Sequence, residues 1–445
     1  MSTATAENVQ AASSLPEWIE TAAAAAGGPE WLMARRRDGL SRFAALGFPG
    51  RRDEHWKYTD LKLVQRRSFG PAPEASAEAP GISGSEIPGI DGLDCPTLVF
   101  VNGRLSETRA LPASLTVSTL AEAVQADHPA CRELLGTVAD PSRHRFAALS
   151  TALFSDGVLL DLAPGAELAE PLRLLFLAGD EQSPALDCPR ILLRGGANSR
   201  ATLVEHYGPA AGESLSLAVT EIALEAGARL EHYRIQEAGA GAFHIGLLAA
   251  RLGRDATLVS HNLSVGGRIA RLDIDAELLE PGAHVEMNGL YVVRGRQHAD
   301  SHSRVDHAVP NTTSDQLYRG VLSGKGRAVF NGKAIVRPGA NGTDARQSNA
   351  NLLLSPEAEI DTKPELEIYA DDVKCTHGAT TGQLDANALF YLRSRGIEEE
   401  TARSLLTFAF ADTVLARMPL AAVRRHAENL VVGRLPDAER IREFT

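Results

Sequence analysis

Between residues 156 and 385 one short signature keeps returning: glycine, alanine, any residue, then an apolar one. It stands at Gly165-Ala-Glu-Leu, Gly227-Ala-Arg-Leu and Gly282-Ala-His-Val, with Gly196-Ala197 midway between the first two. Asp255-Ala-Thr-Leu and Glu357-Ala-Glu-Ile carry related punctuation. The units are roughly 27 to 31 residues long, the period of a stacked repeat. Between the turns lie short β-type runs such as VLLDL, RILLR, ATLVEHY, LAVTEIAL, RLEHYRI and LEIYADDV. A β-sandwich uses the same strand pattern but gives no reason for one turn to recur at this spacing. The expected fold class is therefore mainly β: a right-handed parallel β-helix (β-solenoid) core at 156–385, flanked by helical segments at both ends.

The flanks read differently. Residues 1–70 form an N-terminal helical region, with Leu15, Trp18 and Ile19 on one stripe and Trp31, Leu32, Leu40, Phe43 and Leu46 on another. Residues 71–93 are rich in Pro, Gly, Ala and Ser and read as a linker. A mixed α/β segment follows at 94–155, with a strand at 97–103 and helices around 120–124 and 131–138. The tail at 386–445 is helical: Asp385 is a suitable N-cap and Gly396 a stop. A second helix spans 398–411, with Leu405, Leu406, Phe408 and Ala409 on its apolar side. A third spans 420–432 and ends at Gly433.

Composition narrows the function classes. The 445 residues are 44% hydrophobic, enough for a substantial core, and the formal net charge is −12. That balance speaks against nucleic acid or anionic membrane as the main partner, and the basic runs 35–37 and 51–52 read as solvated helix faces. Cys95, Cys131, Cys188 and Cys375 lie far apart with no CxxC pair, so neither a zinc knuckle nor a disulfide framework is expected. The alanine run 22–26 is too short for a signal or membrane segment. A cytoplasmic location is expected.

Three stretches carry candidate chemistry. In DDVKCTHGAT (371–380), strand alternation sets Val373, Cys375 and His377 on one face. A thiolate and an imidazole suit iron, zinc or copper, but a closed site needs about four ligands and the remainder must come from elsewhere. The competing reading is two buried strand side chains. A nucleophilic cysteine is poorly served, because alternate strand positions seldom bring thiolate and imidazole together beside an oxyanion hole.

In QHADSHSRVDH (297–307), His298, Asp300 and His302 share a face, with Asp306 and His307 close by. They form either a divalent-metal site or a polar, solvated strand edge, and the strand edge is expected. In DTKPELE (361–367), Asp361, Lys363, Glu365 and Glu367 alternate onto one face and read as solvated charges. A β-solenoid lyase or glycosidase, the alternative function, would draw its carboxylates from Asp361, Glu365 and Glu367 in an aromatic-lined groove. Aromatic residues make up only 5% of the chain. His261 and His284 stand alone and are expected to be structural. SGKGR (323–327) has a lysine but no phosphate-binding loop, so ATP hydrolysis by this chain is not expected.

The block QLYRGVL, GRAVFNGKAIV, TDARQSNANLLLS, AEIDTKPELEIYADDVKCTHGATTGQLD and LFYLRSRGI, within residues 316–397, closely resembles the SufB/SufD family of iron–sulfur cluster assembly proteins, on its SufD side. EHWKYTDL (54–61) resembles that family's N-terminal motif. The resemblance implies a non-catalytic scaffold subunit with a β-helix core, partnered by SufB and by the SufC ATPase through the helices at 386–432. It implies a transient iron–sulfur cluster at the SufB interface, no tightly bound cofactor, His377 as cluster or metal ligand, and Cys375 beside it. It leaves open whether the isolated chain is a homodimer. Asn349 stands where the SufB side has its acceptor cysteine and Gly378 where it has a glutamate, so SufB is expected to supply the thiolates.

Overall fold

The computed structural model describes residues 15–71, 88–109, 116–178, 184–209 and 212–442; most of the expected linker lies outside the described residues. Two facing sheets dominate, one of 11 strands and one of 10, and from Gly157 onward consecutive pairings within each sheet are parallel. The chain alternates between the sheets, one strand in each per turn. In the second sheet one register line runs from Leu172 through Leu203, His232, Ser260, Met287, Gln316 and Gln347 to His377. Its steps fall between 27 and 31 residues, as the turn signature predicts. The core is thus a β-solenoid, as the sequence leads one to expect.

The turns explain the repeat. Gly165, Asn198, Gly227, Asp255, Gly282, Asn311 and Gly342 occupy equivalent corners of successive turns, and all have left-handed backbones. Each N–H reaches the carbonyl of the next corner, from Gly165 to Ala197 through to Gly342 to Asp372. Left-handed φ favours glycine, asparagine and aspartate. Their alternation has a steric cause: a Cβ on Gly227 would stand 2.4 Å from Asn198 Oδ1, and one on Gly282 1.9 Å from Asp255 Oδ1. A corner side chain therefore needs a bare backbone stacked beside it.

Strand alternation divides inside from outside. The inner faces meet as one apolar core containing Leu203, Leu230, Leu258, Met287, Ile222, Leu252, Ile274 and Phe330. The outer face of the first sheet is covered early in the stack by N-terminal elements. There the helix Arg145–Leu153, which the sequence reading did not single out, packs Phe146 and Leu149 against Leu217, Val219, Ile245 and Leu247. Its residues from Phe146 to Leu153 are all buried, Ser150 and Thr151 included, because it is sandwiched between the sheet and the helix Glu30–Leu46. Beneath it Glu221, fully buried, accepts from Arg190 and from the amides of Gly136, Val138 and Ala139.

The C-terminal helices cover the outer face of the second sheet. Val414, Leu415, Met418 and Val423 pack onto Val204, Tyr233, Ile235, Leu263 and Leu290. The inward side of the helix Glu399–Leu415 only partly coincides with the expected one: Ala402, Ser404, Thr407, Ala411, Val414 and Leu415 are buried, Leu405 and Phe408 pack half-buried against the same core, Leu406 is only partly covered and Ala409 is exposed. Small side chains let the helix approach its neighbours closely, which the apolar count alone does not reveal. No helix among the described residues is long and apolar enough to cross a membrane.

Candidate functional site

Both sheets end together. Glu359–Ile368 closes the first and Lys374–Gly382 the second, each with a strand neighbour on one side only among the described residues. On the penultimate strand of the second sheet Ala345, Gln347, Asn349 and Asn351 are buried, while Arg346 is exposed. In-register pairing places Cys375 on Ala345, His377 on Gln347 and Ala379 on Asn349. Cys375 and His377 therefore stand in the columns that fill the solenoid interior, at the end where the described chain adds no further turn. His377 is exposed and Cys375 half-buried. Burial pushes the Cys375 thiol above its usual pKa, only partly offset by the Ala345 amide. Unaided, it is a poor thiolate near neutrality.

Polar groups lie directly under this end. Gln347 donates from Nε2 toward Gln316 Oε1 at 3.4 Å, and Ser303 donates to the same oxygen at 2.6 Å. Asn349 donates to Tyr291 Oη (3.1 Å) and accepts from Asn351 (2.6 Å) and Thr362 (3.0 Å). Sequence reasoning did not pick out Gln316, Gln347 or Tyr291, because inward orientation follows from register and not from local pattern. Around the rim, Ile368, Tyr369, Phe390 and Tyr391 are exposed, and the helix Ala386–Ser394 buries none of its residues. Asp385 caps that helix through the Asn387 amide, and Gly396, with φ of 86°, follows its end.

The second candidate stretch is not a strand edge. His298–His307 lies mid-sheet, between Ile269–Leu278 and Arg327–Val336. Asp300 is buried beneath the segment 54–59, takes bonds from Arg271 and Thr59, and lies 2.9 Å from His302 Nε2. Burial opposes its charge, but Arg271 and the His302 imidazole outweigh this and hold the carboxyl below its usual range. Arg271 also stacks 3.7 Å from the Trp56 ring centroid and donates to the His55 carbonyl. The expectation of a solvated edge fails because the N-terminal arm covers these groups. His307 points the other way, into the solenoid, bonded to Thr312 and Ser314. Among the described residues, no three ligand atoms of this stretch come close enough together to hold an ion.

The acidic strand behaves as expected of solvated charge. Lys363 pairs with Glu54 (2.7 Å) and Glu365 (3.0 Å), and Lys333 with Glu367 (2.6 Å). Asp361 is half-buried, which raises its pKa. His261 is buried on Glu231 at 2.7 Å and stacks on Tyr233, and His284 bonds Thr313. Cys95, Cys131 and Cys188 are buried free thiols.

Comparison with known proteins meets this geometry. Residues 176–410 match the family model described as SUF system FeS cluster assembly, SufBD core domain, and residues 20–174 match the SufBD protein N-terminal region. The chain is 32% identical to an iron-sulfur cluster assembly SufBD family protein of Synechocystis, over 88% of this chain and 89% of that one. It is 30% identical to iron-sulfur cluster assembly protein SufD of Escherichia coli, over 90% and 92%. It is 27% identical to the chloroplastic protein ABCI7 of Arabidopsis thaliana, over 95% and 90%. Two family models spanning nearly the whole solenoid and its N-terminal cover, with full-length relatives at this identity, place the chain in the SufBD family of iron–sulfur cluster assembly proteins.

Proposed function

We propose that this protein is a non-catalytic scaffold subunit of a cytoplasmic SUF assembly complex. It pairs through the open end of its solenoid with a SufB-type subunit, and the nascent iron–sulfur cluster is built at that junction as cargo. His377 contributes an imidazole ligand or entry group, Cys375 stands beside it, and the partner supplies the thiolates. The helices from Ala386 to Val432 dock a SufC-type ATPase, with the exposed Phe390 and Tyr391 as anchors.

The observation that carries this reading is the coincidence of two features at one place. Among the described residues the last turn is a bare edge on both sheets, and the only cysteine of the four that is not buried lies there beside an exposed histidine. An unpaired edge presents N–H and C=O groups to a second strand. Thiol and imidazole on one face, short of a full ligand set, need a partner to complete it.

A backbone test follows. Lys374 N–H bonds the Thr343 carbonyl, so in a parallel ladder the N–H groups of Cys375, His377, Ala379 and Thr381 point away from the chain's own neighbour. Ala379→Pro removes one outward donor and leaves the internal ladder intact. Co-purification with the SufB-type partner should fall sharply for this variant while the isolated chain keeps its thermal midpoint. Unimpaired co-purification would contradict pairing through this edge.

A further inference from the structure

Away from the open end, three ligand-type side chains meet where the helix Ala421–Val432 crosses the second sheet. His206 comes from the strand Arg200–Tyr207, Glu237 follows the strand Arg229–Gln236, and His426 comes from the helix. His206 Nε2 lies 2.6 Å and His426 Nε2 3.2 Å from the same oxygen, Glu237 Oε1. All three ligand atoms fall within 4.8 Å of one another. His206 is wholly buried, and the Glu237 and His426 side chains are 11% and 18% exposed.

Two imidazoles sharing one carboxylate oxygen is an arrangement that protons or a metal ion can bridge. Two neutral nitrogens and a carboxylate suit a divalent ion of the zinc class, leaving a fourth position for water. His426 lines a surface depression of about 430 Å³ together with Asp91 and Asn429, which supplies an entry path and room for that water. Loading requires both rings to present a bare Nε2 and to carry their proton on Nδ1. For His206 this means releasing Arg173, whose Nη2 lies 2.7 Å from Nδ1 and also reaches the Pro88 carbonyl. Turning wholly to that carbonyl frees the ring. The nearby positive charges of Arg173 and Arg434 oppose the ion and set an upper limit on its affinity.

We propose that His206, Glu237 and His426 form a three-ligand site for one divalent transition-metal ion, which staples the C-terminal helix to the second and third turns of the solenoid. The site is structural in character and stands independently of any cluster chemistry at the open end. Because its ligands come from both the solenoid and the helix covering it, occupancy would stiffen that junction.

Cobalt(II) is a suitable probe, titrated into the full-length chain carrying Cys375→Ser and His377→Ala so that the open end supplies no ligands. One equivalent should bring visible d–d absorption and raise the thermal midpoint. Glu237→Gln and, independently, His426→Ala should abolish both, with an affinity loss exceeding the roughly 10–100-fold typical of outer-shell changes. Glu237→Gln is nearly isosteric, so it decides the matter should His426→Ala disturb the helix. Absence of stoichiometric absorption, or binding that persists in both variants, would overturn the proposal and leave these residues as a hydrogen-bonded clamp.

Discussion

His232 and His377 occupy the same inward column of the second sheet, five turns apart, and meet opposite surroundings. His232 is fully buried, with Ser260 Oγ at 2.9 Å and Glu205 Oε1 at 3.1 Å. His377 is exposed on the terminal strand. The repeat prescribes the same backbone for both. Position along the stack decides that one histidine is a buried structural part and the other stands exposed. The covered turns should accordingly respond to substitution through stability, and the last turn through assembly.

The largest effect is expected at the covered end. Glu221→Ala would leave the Arg190 guanidinium and three amides without their shared acceptor. Breaking a buried pair from one side typically costs about 3–5 kcal/mol. A lower urea midpoint with unchanged slope would register it, and a change below about 1 kcal/mol would undo the contrast between the two regions.

Acid should also act on the interior. Burial lowers the His307 pKa from 6.5 to about 4, against a smaller opposing pull from Asp306. The unfolded chain therefore binds the proton first. Stability from this group is intact above about pH 6.5 and declines as pH falls toward about 4, by on the order of 3 kcal/mol. Comparing urea midpoints across that window for wild type and His307→Asn should show a shallower pH slope in the variant.

Glycine supplies a paired test. Gly227→Ala would force a Cβ against Asn198 at a left-handed corner with φ of 70°, at about 1–3 kcal/mol. Gly378→Ala, where a Cβ meets nothing within 4 Å, should stay within about 0.5 kcal/mol. Smallest of all, His377→Ala should leave the thermal midpoint of the isolated chain essentially unmoved, since the side chain is exposed at a bare edge. A marked drop would make His377 another His232.

The solenoid was legible because its constraint is local and repeated: a left-handed corner admits few residues, and the corners recur at a fixed interval. The pair Cys375 and His377 was legible as alternate residues of one strand. What escaped was relational. The burial of Asp300 depends on an arm about 240 residues earlier that supplies Thr59. The inner face of Glu399–Leu415 depends on how closely small residues let it approach its neighbours, and His206 and Glu237 meet His426 only after the chain has wound five more turns and returned. Periodicity reports which residues share a face, not what covers that face.

The most direct test is anaerobic cluster reconstitution, read by visible absorption, on this chain co-expressed with the proposed SufB-type and SufC-type partners, wild type against His377→Ala, with assembly of the complex verified for both. The account predicts an intact complex whose cluster is lost or destabilised in the variant. An intact complex with an unchanged cluster would contradict it and leave the terminal turn an architectural surface.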